Sequence, residues 1–236
     1  MPKHTMTRAG MLGIAMLLSG CITVNLPPGP GPLVETQVSG SGSSKVLMLD
    51  LVGIISSSEE HGFYPIPSQV ARLKEALTKA AADPDVRSLV LRINTPGGTV
   101  TASDVLYHEL RLFKQKKKIP IIASIMDVGA SGGYYVAMGT DKIVAHPSSV
   151  TGSLGVIMLT MNANGLLEKI GVHASAITSG PKKDMGSPFR TMTDEERAIF
   201  QSVIDGLYER FLTVIKEGRH NLTADEIRKL ADGRIY

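Results

Sequence analysis

Ile121-Ile122-Ala123-Ser124-Ile125, followed by Val128-Gly129-Ala130-Ser131-Gly132-Gly133-Tyr134-Tyr135, reads as a buried strand that runs into a turn of small residues. From that turn, Tyr134 to Met138 continues as a helix. A short apolar run bounded by glycines is the pattern of a strand in a covered sheet. A serine at such a strand-to-helix turn presents a hydroxyl to solvent beside a free backbone N–H. Those are two of the parts that acyl transfer requires. The plainer reading of the same residues is a helix cap with a glycine hinge, and the surrounding sequence has to decide between them.

Outward from this turn, strands and helices alternate. Val46 to Ile55 reads as an apolar strand, and Ser68 to Ala82 as an amphipathic helix with Ser68 as its N-cap. Ser88 to Ile93 is again apolar and β-branched, followed by a turn at Asn94-Thr95-Pro96-Gly97-Gly98. Ser103 to Gln115 is helical, with Val105, Leu106, Leu110 and Phe113 on one face. The basic run Lys116 to Lys118 fits the helix end, where cations complement the macrodipole. Ile119 to Met126 is the next strand. Lys142 to Ala145 and Val172 to Ile177 are further strand candidates, with a helix at Asn164 to Ile170 before the latter. Beyond Pro188 the chain turns helical. Thr193 opens a helix to about Glu217, and Thr223, with Glu226 three residues on, caps another to Ala231. This alternation predicts an α/β fold, a mostly parallel sheet of βαβ units flanked by helices, with C-terminal helices added.

The chain has 236 residues and a formal charge of +3, too small to point to nucleic acid. Its single cysteine, Cys21, excludes an internal disulfide. Lys3 and Arg8, the apolar run Met11 to Leu18 and then Leu18-Ser19-Gly20-Cys21 form a signal peptide over residues 1–20, too short in its apolar part to span a bilayer. Its end resembles a bacterial lipobox, which implies lipidation of Cys21 and a membrane anchor. Residues 21–45, rich in Pro, Gly and Ser, read as a flexible tether reaching roughly 25–30 Å. Residues 46–236 form the folded domain. The closing Gly233-Arg234-Ile235-Tyr236 brings no final element and is read as a truncation.

Three segments, taken in order, carry a family resemblance: Ile93-Asn94-Thr95-Pro96-Gly97-Gly98, Ala130 to Tyr135, and Gly180-Pro181-Lys182-Lys183-Asp184-Met185-Gly186-Ser187-Pro188. With Thr151-Gly152-Ser153-Leu154-Gly155-Val156 they resemble the signal peptide peptidase SppA family of serine proteases, whose fold is related to Clp protease and the crotonases. The resemblance covers about Val46 to Tyr236. It implies Ser131 as nucleophile and Lys183 as general base, with Lys182 the local competitor. It also implies an oxyanion hole from the N–H groups of Gly98 and Gly132, and a lysine-orienting hydroxyl at Ser153. For a lysine to accept a proton near neutral pH, its pKa must fall from about 10.4 to about 7–8, roughly 3–5 kcal/mol, which burial supplies. A desolvated Lys183, with Asp184 turned away, is therefore expected.

A histidine triad would have to draw on His61, His108, His146 or His173, none of which lies in a matching segment. No H-E-x-x-H or Cys/His cluster is present, and neither metal nor cofactor is expected. The resulting expectation is a membrane-tethered serine endopeptidase of the bacterial cell envelope, its domain outside the cytoplasm, cutting apolar peptides such as cleaved signal peptides. Family members form ring- or dome-shaped homo-oligomers, in some of which the lysine comes from a neighbour. The rival readings are a non-catalytic lipoprotein scaffold and a crotonase-like acyl-CoA enzyme.

Overall fold

Leu47, Leu49 and Leu51 point to one side of the strand Lys45–Ile55 (β1), while Val46, Met48, Asp50 and Val52 are exposed on the other. The same period-two alternation runs through Val86–Gly98 (β2) and the first half of Ile121–Ala130 (β3). The computed structural model describes residues 31–61 and 64–236. The chain divides into two compact units. Residues 33–60 and 67–236 hold all the elements below. Of the other unit, residues 1–32 with 61–66, the described part includes the short strand Pro65–Ile66. The expected signal peptide and Cys21 lie outside the described residues, and residues 31–44 contain neither helix nor strand.

The sheet of the larger unit is parallel throughout, in the order β1-β2-β3 and then Lys142–Ala145 (β4). Val150–Gly152 (β5) pairs with the same edge of β3 further along, at Val128 to Ala130. Each long strand lies beside its predecessor in the same direction, so right-handed crossovers deliver the helices to a single face. That face packs Leu51, Leu89, Leu91, Ile93, Ile121 and Ala123 into the core. Among the described residues no helix covers the opposite face, where Ile122 and Ser124 are half-buried and Met126 and Val144 are exposed. The apolar run at Ile121–Ile125 thus reflects one covered face rather than two.

The helices begin where the sequence supplies caps. Gln69–Ala82 (α1) starts at Ser68, whose hydroxyl accepts from Ala71 N–H at 3.2 Å. Val100–Lys117 (α2) starts at Thr99, directly after the Gly97-Gly98 pair, and ends at Lys118 in the left-handed region. Gly132–Ala137 (α3) follows Ser131, and Asn164–Lys169 (α4) is a short exposed turn of helix. Asp194–Gly218 (α5) and Ala224–Leu230 (α6) both open with complete capping boxes, at Thr193/Glu196 and Thr223/Glu226. α5 adds Phe211, Leu212, Val214 and Ile215 to the core.

Two expectations change. The expected turn at Asn94 to Gly98 is instead the end of β2, which carries on beside β1 as far as Ile55 opposite Gly98. Thr95 and Pro96 stand opposite the single residue Gly53, a two-against-one bulge that accommodates the proline's missing N–H. The expected strand at Val172 to Ile177 is irregular and exposed and pairs with no strand among the described residues.

Candidate active site

Ser131 sits at the junction of β3 and α3 with φ 49° and ψ −118°. A non-glycine residue at positive φ costs on the order of 1–3 kcal/mol and persists only where its surroundings fix it. Here they do so from two sides. Ser131 N–H donates to Gly152 O at 2.8 Å, and Ser131 O accepts from Tyr135 N–H at 3.0 Å. The Ser131 side chain makes no capping bond to the helix, so its hydroxyl is not consumed by the fold.

The Gly97-Gly98 end of β2 abuts this corner so closely that side chains are excluded. At Gly97 (φ 111°) a Cβ would lie 2.8 Å from Ser131 Cβ, 3.1 Å from its Oγ and 2.8 Å from Gly132 N. A Cβ on Gly132 would lie 2.3 Å from Ser103 Oγ and 3.2 Å from Gly98 N. The backbone nitrogens of Gly98 and Gly132 therefore border the same small volume beside Ser131. Gly132 is the first residue of α3, whose opening N–H groups have no partner within the helix.

Behind the corner, Tyr135 of α3 is buried and donates its hydroxyl to Asp104 of α2 at 2.5 Å. Arg210 of α5 donates to the same carboxylate at 2.9 Å. Burial, then the bond to Asp104, pushes the Tyr135 hydroxyl above its ordinary range. This network, absent from the sequence reading, joins the helix that follows Gly98 to the one that follows Ser131. Its members are 31 and 106 residues from Asp104, so no local motif could announce it. A cleft of about 280 Å³ between α2 and α5 is lined by Tyr107, Arg111 and Glu217 and not by Ser131.

Ser153 (φ 50°) follows Gly152 and donates its N–H to Arg234 O at 2.6 Å, while Thr151 and Tyr236 exchange two backbone bonds. The strand that holds Ser131 is thus itself held by Arg234 to Tyr236. Lys183 lies in a turn, its N–H donating to Gly180 O at 3.2 Å, and its side chain is exposed in the single chain. This differs from the dry amine expected. Among the described residues no hydrogen bond joins Lys183 to Ser131 or to Ser153, and Lys182 pairs with Glu195. Among the histidines with described side chains, hydrogen bonds run from His108 to Asp104 O and from His146 to Ser148, not to Ser131. The described residues contain no cluster of metal-ligating side chains, and no helix long and apolar enough to cross a membrane.

The loop bearing Lys183 is anchored by one guanidinium. Arg190 grips Asp184 at 2.7 and 2.8 Å and the buried Glu196 at 2.5 and 2.9 Å. Asp184 is thereby turned to Arg190 and held below the usual carboxylate range. The Arg190 bonds, then the Thr193 N–H, pull Glu196 down to about 2. A carboxylate depressed on folding stabilises fully above its unfolded value near 4.5, and that contribution disappears as pH falls to about 2. Thermal melts of Glu196→Gln should therefore lie below the wild type at pH 6. The gap should close steadily between pH 4.5 and 2; a gap constant with pH would refute the assignment.

The profile of peptidase family S49 matches residues 113–236. A protein of Enterococcus faecium named as a candidate signal peptide peptidase SppA is 36% identical over 203 residues, covering 86% of this chain and 58% of its own. A candidate protease of Methanocaldococcus jannaschii is 38% identical over 231 residues, covering 94% of this chain and 73% of its own. Protease 4 of Salmonella typhi is 35% identical over 157 residues, covering 66% of this chain and 25% of its own. The chain thus spans little more than half the length of the first of these relatives.

Proposed function

From the premise that this chain belongs to peptidase family S49, we propose that it is a serine peptidase with Ser131 as nucleophile and Lys183 as general base. One observation carries the reading: a strained serine with an uncommitted hydroxyl, pressed against two glycines whose backbone nitrogens share its corner. Ser131 Oγ attacks the scissile carbonyl carbon as its proton passes to the Lys183 amine. The N–H groups of Gly98 and Gly132 take the negative charge forming on the carbonyl oxygen, a role in which each donor is worth about 10²–10³ in rate. The C–N bond then breaks as the lysine returns the proton to the leaving amine. Water, deprotonated by the same lysine, releases the acyl group from Ser131.

A lysine serves as a base near neutral pH only when burial strips its hydration. Lys183 is exposed in one chain, so its burial is assigned to a neighbouring copy, and assembly becomes a condition of activity. Ser153 would hold the amine once it is there. Exposed apolar residues that follow Ser153, Ile157, Leu159 and Met161, favour extended apolar peptides as substrates, cleaved signal peptides among them. The lipobox-like end of the N-terminal segment at Cys21 supports a lipid anchor on the membrane of a bacterial cell envelope, with this domain outside the cytoplasm.

The test is covalent. A fluorophosphonate probe added to the purified protein should label one residue, Ser131, with the adduct mapped by peptide mass spectrometry. Failure to label would leave the fold as a non-catalytic scaffold.

A further inference from the structure

Thr95 is completely buried, yet it carries a hydroxyl among apolar neighbours. Its Oγ1 donates to Gly53 O, the carbonyl that the bulge takes out of register, and accepts from Gly97 N–H at 3.1 Å. The same oxygen lies 3.3 Å from Gly97 O. On its other side, the methyl group fills the space beside α3: a Cβ on Gly133 would lie 2.6 Å from Thr95 Cγ2. One side chain therefore touches the wall of the corner that carries Gly98 and the wall that carries Gly132.

The peptide between Gly97 and Gly98 explains why this matters. In a trans peptide the C=O and N–H point in opposite directions. Gly97 N–H belongs to the preceding peptide and Gly97 O to the one that carries the Gly98 N–H. By holding the first and lying 3.3 Å from the second, the Thr95 hydroxyl restrains Gly97 on both sides and so the direction of the Gly98 N–H. Gly97, at φ 111°, has no side chain to restrain it, and its pairing and that of Gly98 with Ile54 and Ile55 of β1 act beside the hydroxyl. We propose that Thr95 is a positioning residue: its hydroxyl aims the Gly98 N–H at the oxyanion, and its methyl sets the distance to the Gly132 N–H. The inference rests on the peptidase reading above and adds to it a residue that touches neither substrate nor nucleophile.

A misaimed donor weakens transition-state binding while leaving ground-state binding almost unchanged. Thr95→Val keeps the shape and removes the hydroxyl. In the purified full chain it should lower kcat about 10- to 100-fold, less than outright loss of a donor, with KM within about twofold. Affinity for a peptide boronate, which mimics the tetrahedral state, should fall in parallel with kcat/KM. Thr95→Ser, which retains the hydroxyl, should recover most of kcat. Should Thr95→Val not fold, Thr95→Ala is compared with Thr95→Ser in the same way. An unchanged kcat or boronate affinity in the variant lacking the hydroxyl, or an equal loss in Thr95→Ser, would overturn the proposal. If the wild type itself neither labels at Ser131 nor hydrolyses peptides, the peptidase reading fails and takes this one with it. Labelled, active wild type beside an indifferent Thr95→Val defeats the positioning role alone.

Discussion

Ser131→Ala should abolish both peptide hydrolysis and fluorophosphonate labelling, while the protein melts within a degree or two of the wild type. The expected loss in kcat is on the order of 10⁶-fold, the size seen when a serine nucleophile is removed from an otherwise intact site. Stability is spared for a specific reason. The Ser131 hydroxyl makes no bond to the helix it precedes, so its deletion leaves no buried group unpaired. The backbone bonds to Gly152 and Tyr135, which hold the strained conformation, do not involve the side chain. Alanine keeps the positive-φ penalty, whereas glycine would remove it. Ser131→Gly should thus be as inactive as Ser131→Ala and melt higher. Calorimetry on the three proteins, with turnover measured on one fluorogenic apolar peptide, reads out both halves. Residual turnover above about a thousandth of wild type in Ser131→Ala would move the nucleophile elsewhere.

The contrast between what this corner reveals in sequence and what it conceals follows from chain distance. The turn of small residues at Ser131 is legible because close backbone approach demands small residues, and small residues in clusters stand out; Gly98 and Gly132 come to it as partners only through the family resemblance. Capping boxes at Thr193 and Thr223 were legible because the whole device spans four residues. β5 was not, since three residues, Val150 to Gly152, carry too short an alternation, and its pairing depends on β3 and on Ile235. Pro-Gly-Gly at the end of β2 is turn chemistry locally, and only the bulge against Gly53 turns it into strand. Thr95 lies within a motif, but its bond to the carbonyl of Gly53, 42 residues away, has no local signal. That the described helices all lie on one face of the sheet is likewise not written in composition, since crossover geometry decides where helices land.

Lys183→Ala should reduce hydrolysis by about 10²–10⁴-fold, the usual contribution of a positioned general base. Its fold should survive, because Lys183 is exposed and Arg190, not Lys183, anchors the loop to Asp184 and Glu196. Lys182→Ala, which loses a surface pair with Glu195, should retain near-normal activity and so separates the two adjacent lysines. The more informative experiment mixes inactive proteins. If one copy supplies Ser131 and the next supplies Lys183, then Ser131→Ala and Lys183→Ala chains, co-assembled in equal amounts, form intact sites wherever a Lys183→Ala chain meets its neighbour's lysine. Random assembly makes this roughly a quarter of all sites in a closed ring of head-to-tail contacts. Recovery toward that level would assign the base to the neighbour. It would also explain how an amine open to water in one chain comes to be dry. No recovery, with both single variants inactive, would require the loop at residues 180–188 to fold over its own Ser131. If the Arg190 bonds to Asp184 and Glu196 hold that loop away from Ser131, Arg190→Ala would then raise activity.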